Sequence, residues 1–159
     1  MELFLLISLT IAPIFAMTLP VSAASTVIAE VNGQLNICHQ ADSCFTATLQ
    51  ANASGPDPED LTGMLLIYRT PGMVAAPRQP CTASVTGEVT SSMDGPTATL
   101  TGTLDPAQPT AACAGALQGL SVTLFVDAVS GTMQLTTVTP AGYTDPLGSG
   151  YGTLTITQL

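Results

Sequence analysis

The stretch Cys38-His39-Gln40-Ala41-Asp42-Ser43-Cys44 brings two thiols, an imidazole and a carboxylate within seven residues. No other segment concentrates so much potential chemistry. A metal site would draw on Cys38, His39, Asp42 and Cys44, but five residues part the two cysteines, wider than the spacing structural zinc sites use. All four cysteines, Cys38, Cys44, Cys81 and Cys113, follow an apolar leader, and an even set in an oxidising compartment usually ends as disulfides. Three pairings are open to four cysteines. The expected one joins Cys38 to Cys44, closing a turn, and Cys81 to Cys113. Neither a metal nor a cofactor is expected.

Catalysis is limited by the same inventory. His39 is the single histidine, so any Ser-His-Asp or Cys-His arrangement must use it, and no G-x-S-x-G elbow is present. Without lysine there is no phosphate-binding G-x-x-x-x-G-K-[ST] loop. Paired carboxylates remain available from Asp57, Glu59, Asp60, Glu88, Asp94, Asp105, Asp127 and Asp145, but most stand beside Pro or Gly, where a carboxylate ordinarily caps a turn. The acidic Pro56-Asp57-Pro58-Glu59-Asp60 lacks the D-x-[DN]-x-[DN]-G order of a calcium loop. Asn52-Ala53-Ser54 is an N-glycosylation sequon.

Binding surfaces are better represented. Thr97, Thr99, Thr101 and Thr103 share one face if their segment is a strand, and Tyr143 and Tyr151 flank a Gly-rich turn and suit stacking on a sugar ring. The segment Pro71–Pro80, with Met73 and Arg78 at its crest, has the Pro-braced form of an inhibitory protease-binding loop.

The elements that must position these residues follow a period of two, broken about every ten residues by Gly, Pro, Asn or Asp. Phe45, Ala47 and Leu49 alternate with polar residues, as do Ala83, Val85 and Val89, and Ala98, Leu100 and Leu104. The last two runs flank Ser91-Ser92-Met93-Asp94-Gly95-Pro96 and read as a hairpin. Asn32-Gly33 reads as a break between two strands, and Ala107–Gly119 as the one short helix. About eight short antiparallel strands at this spacing predict an all-β, immunoglobulin-like sandwich, with a small β-barrel as the alternative.

Residues 1–23 read as a cleaved secretory signal, apolar from Leu3 and ending in Val21-Ser22-Ala23, leaving 24–159 as a single disulfide-stapled domain. The net charge is −9, or −8 once Glu2 leaves with the leader, and Arg69 and Arg78 are the only cationic side chains besides His39. Two cations cannot neutralise a phosphate backbone, which argues against nucleic acid and excludes anionic membrane surfaces, and no membrane insertion is expected once the leader is cleaved. In composition the chain resembles the small secreted chromophore-binding apoproteins of the neocarzinostatin type, acidic and rich in Ala, Thr and Gly. Its cysteine spacing departs from theirs, and no residue role carries over. The expected protein is secreted and extracellular, non-catalytic, and binds an extracellular ligand or surface partner, with a carbohydrate among the candidates. The alternatives are a protease inhibitor using residues 71–80 and a carboxylate-dependent hydrolase.

Overall fold

A computed structural model describes residues 25–38, 44–70, 79–107, 117–139 and 141–159. The eight strands are β1 Val27–Cys38, β2 Cys44–Gly55, β3 Leu61–Arg69, β4 Cys81–Ser92, β5 Gly95–Leu104, β6 Ser121–Asp127, β7 Thr132–Val138 and β8 Thr144–Gln158. Each pairs antiparallel with the next, and β8 returns to β1 in a register running from Val27↔Gln158 to Ile37↔Gly148, so the sheet is a closed up-and-down barrel. The sandwich expectation is corrected to the barrel alternative. Alternation and turn spacing are common to both folds; closure depends on where the sheet bends.

Several inward positions on the strands are glycines. Gly33, Gly63, Gly87, Gly102 and Gly150 occupy inward positions on β1, β3, β4, β5 and β8, where a Cβ would run into backbone of the adjacent strand. At such points a sheet coils enough to close. Gly33 also explains why Asn32-Gly33 is no turn. Strand β1 runs through it without a break, and Gly33 packs against Gly152 and beneath the methyl of Met133. The turn chemistry of Asn-Gly gives way here to pairing on both sides.

Inward residues build one apolar core: Val31, Leu35 and Ile37 of β1, Leu49 of β2, Leu65 and Ile67 of β3, Leu100 and Leu104 of β5, Leu124 of β6, and Met133 and Leu135 of β7 are all buried. Ala29, Ala47, Ala53, Ala83 and Ala98 fill the narrower places, the mixture of large and small side chains that fits a tapering barrel. The β4–β5 hairpin turns at Met93-Asp94 with Ser92 opposite Gly95, as expected.

The connections differ at the two ends. One end carries the β2–β3 turn (56–60), the β4–β5 turn and the β6–β7 turn (128–131), and Thr26 pairs there with Leu159. The β1–β2, β3–β4, β5–β6 and β7–β8 connections all leave from the other. Leu117 tucks in at that end, fully buried, and the described parts of the expected helix, Ala107 and 117–119, are turn rather than helix. No helix among the described residues is long and apolar enough to cross a membrane.

Candidate functional site

Cys38 and Cys44 stand directly opposite each other at the end of the β1–β2 ladder and form a disulfide. The pair is a staple, as its spacing led one to expect. Cys81 is also disulfide-bonded; its expected partner Cys113 lies outside the described residues, as do residues 1–23, His39, Asp42, Met73 and Arg78. The one described Lys or Arg, Arg69, sets its guanidinium 5.0 Å from the Phe45 ring centroid, a cation–π contact beside the staple.

Several carboxylates serve their own turns. Asp57 Oδ1 accepts the Glu59 N–H at 2.9 Å, Asp105 Oδ1 the Ala107 N–H at 2.8 Å, and Asp127 Oδ1 the Val129 N–H at 2.9 Å. Among the described residues no group of three or more His, Cys, Asp or Glu side chains could hold a metal ion. Asn52 is exposed on the barrel wall, mid-strand in β2, and its amide donates to Glu30 Oε1 at 3.4 Å.

Thr97, Thr99, Thr101 and Thr103 do share the outer face of β5. Thr101 belongs to a row of five threonines, Thr62, Thr86, Thr101, Thr123 and Thr136, set side by side across β3 to β7. A groove of about 550 Å³ runs along this face between Met64, Ser84, Thr86, Thr101 and Thr103. The hydroxyls partly satisfy one another: Thr101 and Thr123 Oγ1 lie 3.1 Å apart, and Thr103 Oγ1 and Ser121 Oγ 3.3 Å. The face is also convex, because it wraps a barrel.

Tyr143 and Tyr151 are not together. Tyr143 precedes β8 at the loop-rich end, whereas Tyr151 lies well inside β8, about 25 Å further along an extended strand. Most of the Gly-rich stretch that reads as a turn is strand from Thr144 onward, with Gly148, Gly150 and Gly152 facing inward while Ser149, Tyr151 and Thr153 face out. Tyr151 is 74% exposed. It stands between Gln34 of β1 and Thr132 of β7. Next along the wall come Asn32, Asn36, Gln134, Ser149 and Thr153, so the ring stands among carboxamides and hydroxyls. A groove of about 400 Å³, lined by Gln34, Asn36, Thr46 and Ser149, opens against the ring where Gly33 and Gly150 let the wall dip. Phe125 of β6, 39% exposed, sits beyond Gln134, two strand spacings or about 10 Å across the wall from β8.

No family model, curated protein or solved structure matches the chain.

Apart from Tyr151 itself, this neighbourhood escapes a strand-by-strand reading. Gln34, Asn36, Thr132 and Gln134 are single outward residues on two strands, and only the closing β8–β1 pairing brings them to Tyr151. The signal present in the sequence is the amide content of Asn32, Gln34 and Asn36 at alternate positions. A further outward strip is formed by Met64, Leu66 and Tyr68 on β3.

Proposed function

We propose that the protein is a secreted, non-catalytic binding protein whose outer wall around Tyr151 receives a neutral, hydroxyl-rich polymer, a carbohydrate of a cell surface or matrix. The observation that carries this reading is an aromatic ring left 74% exposed on a rigid strand among side-chain amides and hydroxyls. A flat π-face takes the apolar side of a sugar ring, while neighbouring amides donate to and accept from its hydroxyls. Strand-borne groups are held at fixed spacing, which lowers the ordering cost of binding. Phe125 extends the platform in the direction a chain of sugars would run.

The turn roles of Asp57, Asp105 and Asp127 support a non-catalytic reading, since each already has local N–H donors as partners. The outer wall of Thr, Asn and Gln around an apolar interior is the reverse of a bilayer-spanning barrel, whose lipid face is apolar, and supports a partner met in water. The Cys38–Cys44 disulfide is compatible with an extracellular location.

Incubation with insoluble cellulose and chitin, followed by assay of the unbound protein, tests the proposal. Retention on at least one of these polymers, lost in Tyr151→Ala, is the expected result. Equal retention of wild type and variant, or retention only on charged matrices, would contradict it.

A further inference from the structure

A hydroxyl chain runs from the β6–β7 turn to Thr132, the β7 residue paired with Tyr151, and its proton sense can be worked out. Ser130 Oγ lies 2.8 Å from Asp127 Oδ2 and 2.7 Å from Thr132 Oγ1. Thr132 stands directly opposite Tyr151 on the outer wall. An ionised carboxylate only accepts, and Ser130 has one hydroxyl proton, so that proton goes to Asp127. The short Ser130–Thr132 contact must then be made by the Thr132 proton. The Thr132 N–H donates to Ser130 Oγ as well, at 3.3 Å, using the second of that oxygen's two acceptor sites.

We infer that Asp127, acting through Ser130, makes Thr132 a hydrogen-bond acceptor beside Tyr151, so that the site selects a ligand hydroxyl that donates at that position. Thr132 Oγ1 has its proton turned away and its remaining lone-pair capacity facing the wall around the ring. Gln34, on the other flank of Tyr151, carries both a donor and an acceptor. A sugar stacked on the ring would thus meet an acceptor of fixed sense on the β7 side and an adaptable amide on the β1 side. Asp127 is a positioning residue, and Thr132 is the group that touches ligand. This inference rests on the carbohydrate reading of the Tyr151 face.

Replacing Asp127 by Asn should reverse the chain. Oδ1 accepts the N–H of Val129 at 2.9 Å and faces that of Ser130 at 3.5 Å, so the Asn carbonyl must take that place. Its NH₂ then faces Ser130 Oγ and donates to it. The Ser130 proton passes to Thr132, and the Thr132 proton turns outward.

Neutron diffraction from deuterated crystals reads the proton sense without a ligand, and calorimetric titration with cello-, chito- and laminarihexaose reads its effect. The expected deuteron in the Ser130–Thr132 contact is bonded to Thr132 in the wild type and to Ser130 in Asp127→Asn. Expected affinities for the hexasaccharide that binds are near wild type for Thr132→Ser, about fivefold weaker for Thr132→Val and Asp127→Asn, and undetectable for Tyr151→Ala. A deuteron on Ser130 in the wild type overturns the inference. So does wild-type affinity in both Thr132→Val and Asp127→Asn, and if Tyr151→Ala still abolishes binding the carbohydrate reading survives it. Absence of binding to all three sugars, or indifference to Tyr151→Ala, overturns both.

Discussion

Asp127 closes the β6–β7 turn through its own side chain, and the contacts it makes favour the ionised form. The Ser130 hydroxyl and then the Val129 N–H hold its pKa below the ordinary value, against a smaller upward push from desolvation. A carboxylate whose pKa is lower folded than unfolded contributes stability above its unfolded value and loses it as pH falls through its folded one. Amide-exchange protection at Val129 and Ser130 is therefore expected to hold at neutral pH and to fall in acid below about pH 4. In Asp127→Asn that acid step should vanish. A carboxyl-carbon NMR titration of Asp127 checks the sign, since a midpoint at or above that of an unstructured Asp would contradict it. In the core, Leu124 is fully buried, and Leu124→Ala should cost about 2 to 5 kcal/mol in urea unfolding. A loss under 1 kcal/mol would mean that the barrel interior is not packed around it.

Strand β8 shows most clearly how an element can mislead. Gly148, Gly150 and Gly152 look like a loop in a linear reading, yet they are the inward residues of a strand that must bend against β1. A Cβ on Gly150 would run into the Gln34 carbonyl, so Gly150→Val should lower stability by about 2 kcal/mol or more and disturb the β1–β8 amides before others in hydrogen exchange. Faces set by strict alternation were readable from residue type alone: Ala98, Leu100 and Leu104 go in and Thr101 and Thr103 go out, as the Thr97–Leu104 pattern requires. Closure was not readable, because it is decided by contacts between the first and last strands. The position of Tyr151 depends on the same pairing. The Cys38–Cys44 staple was readable from the short spacing and the even number of cysteines. Replacing both cysteines by Ser should cost about 2 kcal/mol, the loop-closure value for so short a ring, measured as the change in the urea midpoint at unchanged slope.

Among the described residues the barrel has no open sheet edge, its interior is apolar, and Tyr151 is the most exposed aromatic on its strands. Closing the sheet removes the strand edges that would otherwise invite aggregation. It also puts the groove at Thr86, Thr101 and Thr103 on β4 and β5 and the ring of Tyr151 on β8 in different sectors of the barrel, with β6 and β7 between them. The two faces therefore make separable claims, and the account places ligand at the second. The most direct test is a backbone-amide NMR titration of the full protein with the same neutral hexasaccharides. The account predicts shifts concentrated at Gln34, Thr132, Gln134, Ser149 and Tyr151 that saturate together and leave Thr86, Thr101 and Thr103 unmoved. Shifts confined to the Thr86–Thr101–Thr103 face, or none with any of the sugars, would contradict it.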